Sequence, residues 1–292
     1  MSVITSLKQP VSLRKRSNVI NLNVSLGNYQ HVRDWIINAA QRGDSRTVCF
    51  ANVHMAVECR QKPDVARAVN NADWVTPDGM PLVWAMRLLY GIQQDRITGM
   101  DMLPSLLEQA AEHKIPVFFY GSTADVLERS EKACQQLFPR LIIAGAYSPP
   151  FRKLTEEEEE EEINLITKSG AKLVFVALGC PKQELWLSRM RNRIPAVLLA
   201  IGGALPVLAG EVSRAPLWMQ RAGMEWIFRL VQEPRRLFKR YAVTNSVFVY
   251  SLIRQKLSLF LFQDINLKYY YQDVDLNSYL EETGQLYKVE NS

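Results

Sequence analysis

Short, continuous apolar runs alternate along this chain with stretches whose apolar positions recur every three or four residues. The runs include Thr47-Val48-Cys49-Phe50-Ala51, Val117-Phe118-Phe119, Leu173 to Leu178 and Ala196 to Ala200. Runs that are apolar throughout, rather than at every second position, mark strands buried on both faces. Between them, Tyr29 to Gln41 sets Val32, Ile36, Ile37 and Ala40 on one helical stripe. The pattern predicts strands at Val19–Val24, Arg46–Asn52, Trp74-Val75, Pro116–Tyr120, Leu141–Ala144, Leu173–Leu178 and Ala196–Ala200. It predicts helices at Tyr29–Gln41, from His54 to about Asn70, Leu82–Tyr90, Leu103–Lys114, about Ala124–Phe138, a Thr155-capped helix to about Ser169, and one to about Arg191. Strands and helices alternating at short spacing give an α/β fold with a mainly parallel sheet covered by helices on both faces.

From Arg214 onward the character changes to helices rich in Arg, Trp and Phe. The expected organisation is a disordered segment 1–17, an α/β domain 18–210, a basic and aromatic helical appendage 211–245, and a tail 246–292. With 292 residues, 48% of them hydrophobic, the chain can bury a sizeable core. No stretch reaches the roughly 18 uninterrupted apolar residues of a membrane span. The N-terminus is polar and basic, without the apolar core of an export signal. Cys49, Cys59, Cys134 and Cys180 form no CxxC pair, and Cys49 and Cys180 sit in apolar strand-like runs; buried free thiols suit a reducing cytoplasm.

The net charge of +5 is mild, but its distribution is uneven. Glu211 to Lys256 carries nine Lys or Arg against three Glu, which implies an anionic partner: phosphate, nucleic acid or an acidic membrane face. The seven glutamates Glu156 to Glu162 read as a solvated helix start, where negative charge is favourable.

Candidate chemistry collects at strand ends. Asn52, Asp78, Gly121, Gly179 to Glu184, and Gly202-Gly203 each follow an apolar run. In a doubly wound sheet these carboxyl ends lie along one edge, where ligands bind. Glycines there let a ligand approach the backbone, and helix N-termini favour phosphate. In Thr76-Pro77-Asp78-Gly79-Met80-Pro81, Pro77 and Gly79 shape a turn that presents one carboxylate, readable either as a helix N-cap or as a catalytic base. No GxGxxG follows the first strand, and there is no GxxxxGK[ST]. His31, His54 and His113 lack ligand spacing, so neither a metal nor another cofactor is expected. Asp273-Val274-Asp275 spells a DxD, but in the tail and away from the main sheet.

Thr76-Pro77-Asp78-Gly79-Met80-Pro81, Arg96-Ile97-Thr98-Gly99-Met100-Asp101, Gly179-Cys180-Pro181-Lys182-Gln183-Glu184-Leu185-Trp186 and Arg214-Ala215-Pro216-Leu217-Trp218-Met219-Gln220 occur in that order. Over about Val19 to Asn245 the chain resembles the WecG/TagA/CpsF family of bacterial glycosyltransferases. The resemblance implies a Rossmann-like domain with a C-terminal appendage. It also implies inverting, metal-independent transfer of an N-acetylmannosamine-type or related sugar from a UDP-sugar to a polyprenyl-diphosphate-linked sugar. The setting implied is cell-surface polysaccharide synthesis, with the protein cytoplasmic and peripheral on the inner face of the cytoplasmic membrane. Its partners would be that donor, that acceptor and an anionic membrane surface, with a homo-oligomer possible and nucleic acid not expected. The alternatives are a UDP-glucose-dependent transferase of exopolysaccharide synthesis and a non-catalytic nucleotide-sugar-binding protein. By motif, Asp78 matches the catalytic base, and Asn52, Arg96 and Gln183 match pocket positions. Gly121, Gly202 and Gly203 line the crevice, and Arg221, Arg229, Arg235 and Arg236 would reach a diphosphate. The chain departs from the family pattern at Phe50, where a Thr is common, and at Pro206-Val207, where an Asp-aromatic pair is common. Both positions bear on the identity of the donor sugar.

Overall fold

The computed structural model describes residues 15–261. It opens with a hairpin, β1 (Arg16–Val19) and β2 (Leu22–Ser25), where the apolar pattern had predicted one strand. The reversal falls at Ile20 and Asn21, with φ of 44° and 72°. Two left-handed residues are what a two-residue hairpin turn requires, and Asn tolerates that geometry. Asn18 Nδ2 donates to Asn23 Oδ1 at 2.8 Å across the turn. Arg16 and Ser17, expected to be disordered, are thus in a strand; Arg16 donates to Asn70 O and Ala72 O, both at 2.5 Å.

The main sheet has six parallel strands in the order β4-β3-β8-β7-β5-β6. They are β3 (Arg46–Ala51), β4 (Trp74–Pro77), β5 (Val117–Gly121), β6 (Ile143–Tyr147), β7 (Leu173–Ala177) and β8 (Val197–Ala200). The hairpin packs beside β4, and Val75 N donates to Ser25 Oγ at 3.1 Å. It covers what would otherwise be a bare sheet edge.

Helices cover both faces. α1 (Tyr29–Arg42), α5 (Gly99–Glu112), α6 (Ala124–Leu137) and α9 (Ala204–Leu208) share a core cluster with one face of the sheet, including Phe50, Phe119, Phe175 and Leu199. On the other side α2 (Val53–Gln61), α3 (Pro63–Asn70) and α8 (Lys182–Met190) pack together, and α7 (Glu156–Lys168) is joined by Glu162 to Tyr120 of β5. α4 (Met80–Tyr90) contacts β1 and β4.

The helix expected from His54 to Asn70 is two helices. Pro63 disfavours helical geometry at Lys62, which is extended at φ −127°, ψ 105°. Thr98 caps α5 through Asp101 N, so α5 begins at Gly99 rather than at Leu103. Cys180, placed in an apolar strand by its sequence context, lies in the turn after β7 and is partly exposed; all four cysteines are free. Beyond the sheet come α10 (Leu217–Arg221), α11 (Glu225–Gln232) and α12 (Pro234–Leu261), the last continuing without a break through Ser246. The chain forms one compact unit to Leu252 and a second from Ile253. The second unit's described residues, 253–261, expose Ile253, Leu257 and Phe260. Asp273-Val274-Asp275 and most of the expected disordered and tail segments lie outside the described residues.

Candidate active site

Asp78 is placed by the ends of two strands. Pro77 closes β4 opposite Ala51 of β3, and Asp78 N donates to Ala51 O at 2.6 Å. The segment leading to α5 returns to the same point: Ile97 N donates to Pro77 O at 2.9 Å, and Thr76 Oγ1 to Ile97 O at 3.0 Å. Pro77 pre-sets the extended geometry, and Gly79, extended at φ −162°, leads into α4 with Pro81 in its first turn. The residue before α4 is Gly79 and no side chain caps that helix, so Asp78 does not serve as its cap. Its carboxylate makes no hydrogen bond among the described residues. The residue is half-buried, but protein encloses the carboxyl closely. Burial, then the nearby Glu225 carboxylate, push it well above the usual carboxylate range, while Arg229 and Arg96 pull the other way.

Those arginines belong to a network that crosses from the sheet to the C-terminal helices. Arg96 donates from Nη2 to Asp101 Oδ2 and from Nη1 to Glu225 Oε2, both at 3.1 Å. Arg214 donates to Asp101 Oδ1 and, at 3.0 Å, to Gln220 Oε1. Gln220 is buried and donates to Ala215 O at 2.6 Å. Arg229 reaches Glu225 at 3.9 Å and Met100 Sδ at 3.4 Å. A Cβ added at Gly203 would lie 3.2 Å from Arg229 Nη1, so the glycine leaves that guanidinium its place beside the β8 end.

This is a carboxylate with free acceptor capacity at the carboxyl edge of a parallel sheet, faced by guanidinium groups. It is chemically fit to take a proton from a hydroxyl while cations meet developing phosphate charge. Among the described residues, no group of three or more His, Cys, Asp or Glu is placed to hold a metal ion.

The model of the family described as "Glycosyl transferase WecG/TagA/CpsF family" matches residues 17–260. The chain belongs to that family. It is similar to proteins named N-acetylglucosaminyldiphosphoundecaprenol N-acetyl-beta-D-mannosaminyltransferase from two bacilli. The one from Bacillus spizizenii (strain ATCC 23059 / NRRL B-14472 / W23) is 36% identical over 201 residues, 68% of this chain and 76% of that protein. The one from Bacillus subtilis (strain 168) is 33% identical over 193 residues, 65% of this chain and 72% of that protein.

For this WecG/TagA/CpsF glycosyltransferase, the expected pocket residues lie in several separate places. Arg96 and Arg229 act on Asp78, and Gly203 lies beside Arg229. Asn52 stands at the end of the neighbouring β3, exposed; its Oδ1 caps α2 by accepting from Met55 N at 3.2 Å. Gln183 is buried with both amide donors engaged: Nε2 donates to Glu184 Oε1 at 2.8 Å and to Ala200 O at 3.2 Å. Its Oε1 accepts from Gly179 N at 3.2 Å and lies 3.2 Å from a Cβ built at Gly202, whose φ is 45°. Gln183 thus ties the β7 and β8 ends together. Gly121, at φ 99°, packs against Ala177, where a Cβ would come within 2.8 Å of backbone atoms; its requirement is the fold's own. Arg235 is exposed and takes no part in the described ion pairs, while the side chains of Arg221 and Arg236 lie outside the described residues. Phe50 packs in the core cluster, against Gly99 of α5, rather than opening onto a pocket.

Sequence reasoning missed Asp101, Arg214, Gln220 and Glu225 as parts of the network around Asp78. Three of these lay inside quoted motifs, and only Glu225 had no motif to flag it. Glu184 is fully buried, and burial pushes its carboxyl up to about 7 from 4.5. The folded chain therefore keeps a proton that the unfolded chain releases as pH rises above about 4.5. Stability from this group is present in acid and is lost as pH climbs toward about 7, by up to about 3 kcal/mol. Glu184→Gln keeps an acceptor for Gln183 but cannot ionise. Urea midpoints at pH 5 and pH 8 should converge in the variant relative to wild type; an unchanged gap would discount this buried carboxyl.

Proposed function

We propose that this glycosyltransferase moves an N-acetylmannosamine-type or related hexose from a UDP-sugar to a polyprenyl-diphosphate-linked N-acetylglucosamine. The names of its relatives supply the acceptor and the sugar class. The observation that carries the chemistry is Asp78, a carboxylate at the β4 end with no hydrogen-bond partner among the described residues, within the electrostatic reach of Arg229 and Arg96. Asp78 takes the proton of an acceptor hydroxyl as that oxygen attacks the anomeric carbon. The bond to UDP breaks, and its charge is met by arginines and backbone N–H groups. One base and a single displacement invert the anomeric centre without a covalent intermediate.

The acceptor is lipid-linked, and the C-terminal helices suit a peripheral position on the cytoplasmic membrane face. α10 to α12 expose Leu217, Trp218, Val231 and Phe238, and Arg235 is exposed beside them in sequence. Amphipathic helices of this kind bind anionic interfaces without spanning them. Among the described residues no helix is long and apolar enough to cross a membrane.

The test is UDP release from a panel of UDP-sugars, with and without a prenyl-diphosphate-linked N-acetylglucosamine. Release that needs both one N-acetylmannosamine-type donor and the acceptor supports the reading. Release with UDP-glucose alone among the donors would reassign the sugar, and none with any donor would favour a binding protein.

A further inference from the structure

The network beside Asp78 is close to electrically balanced before any substrate arrives. Arg96, Arg214 and Arg229 face Asp101 and Glu225, with Asp78 as a further carboxyl. A diphosphate brings two or more negative charges into this group, so the cations that should receive it are already engaged.

The two partner carboxylates are held very differently. Asp101 is fixed by its own helix: Oδ2 accepts from Thr98 Oγ1 at 2.9 Å and from Arg96 at 3.1 Å, and Oδ1 accepts from Arg214. Thr98 also caps α5 through Asp101 N at 3.0 Å. Asp101's carboxylate is therefore held by three donors, one of them the capping residue of its own helix. Glu225 is the first residue of α11 and makes one described hydrogen bond, to Arg96, plus the looser 3.9 Å pair with Arg229 in its own helix. Its side chain keeps 24% of its exposure, so water and ligand have access to it. It engages the two arginines that also act on Asp78.

We propose that Glu225 is a placeholder for a substrate diphosphate, holding Arg96 and Arg229 in position and giving them up when the phosphate arrives. The inference rests on the reading of those arginines as diphosphate ligands. Exchanging one anion for another keeps the guanidinium groups oriented and avoids an uncompensated cluster of like charge in the empty site. Glu225 would thereby act as a positioning residue whose charge opposes ligand affinity. The diphosphate can come from the nucleotide donor or from the lipid-linked acceptor, and the chemistry is shared.

Calorimetric titration of the full chain distinguishes these sources, with UDP as one probe and farnesyl diphosphate as the other. Glu225→Gln and Glu225→Ala should each bind one probe about tenfold more tightly than wild type, a gain of about 1.4 kcal/mol. The alanine variant controls for a new amide donor in the glutamine variant. Arg229→Gln should weaken the same probe, and the probe affected names the source. Unchanged or weaker binding by both Glu225 variants, with Arg229→Gln weakened, would overturn the placeholder. If Arg229→Gln leaves both probes unaffected, the arginine reading itself fails and the placeholder fails with it. Thermal melting of each variant confirms folding, and Glu225→Asp, retaining the charge, should bind like wild type.

Discussion

Asp78→Asn should lower turnover by about 10²–10⁴-fold, the range expected for loss of a general base, while UDP binding and the melting temperature stay close to wild type. Asn preserves shape and cannot accept the proton. Because the site disfavours a charged carboxylate, a neutral amide costs the fold little. The pH profile supplies a second readout. A base works deprotonated, and this carboxyl is pushed upward by burial, Glu225 and Asp101 against the pull of Arg229 and Arg96. The acid limb of kcat/KM should therefore lie above the usual carboxylate range, with activity rising as pH passes through it. Glu225→Gln removes an upward influence and should move that limb to lower pH. Near-normal turnover of a folded Asp78→Asn protein would remove Asp78 from the mechanism; an acid limb indifferent to Glu225 would remove the electrostatic account.

A chain ending at Glu211 should retain a folded sheet and lose transfer by at least about 10³-fold. The core cluster of the sheet is built from residues that all precede Gly210, so it survives the cut. What is lost is Arg214, Gln220, Glu225 and Arg229, three of them charged groups facing Arg96, Asp101 or Asp78. Arg96 then keeps Asp101 but loses Glu225, and Asp78 loses the cation that most favours its charged form. The cut also removes buried Ala215, Leu237 and Phe248, so some loss of melting temperature accompanies it. Circular dichroism and UDP release read the two effects separately. Co-sedimentation with anionic vesicles should be lost as well. Full transfer by the truncated chain would sink the role given to α10 to α12.

Much of this was legible before any coordinates, for reasons that differ by element. Buried parallel strands need apolar residues on both faces, so β3, β5, β7 and β8 announce themselves as unbroken runs. Asp78 was visible because Pro77 and Gly79 constrain a turn at a strand end. Its choice between helix cap and base was not, since that depends on which residue stands at the N-cap of α4. The hairpin was hidden because Val19 to Val24 has the composition of one strand, and only two left-handed residues divide it. Phe50 looked like a pocket residue because position along a strand does not reveal which face is covered. The arginine network was the least readable part. Arg96 and Glu225 meet across 129 positions, and charge counts along Glu211 to Lys256 show excess cation without showing which cations are already paired.

The strand order has a consequence for how the protein comes into being. β8 lies between β3 and β7, with Arg46 opposite Val197 and Leu173 opposite that same Val197. Until residues 197–200 are in place, β3 with β4 and β5 with β6 and β7 have no hydrogen-bonded link to each other. The pairing that joins them closes a loop of about 150 residues, an entropically late event that high contact order makes slow. Asp78 stands on one side of that seam, and Gln183 on the other is tied to β8 itself. A nascent chain therefore carries the β4 end and the β7 end unjoined until residues 197–200 emerge, and Arg214, Glu225 and Arg229, made later still, complete the network around Asp78.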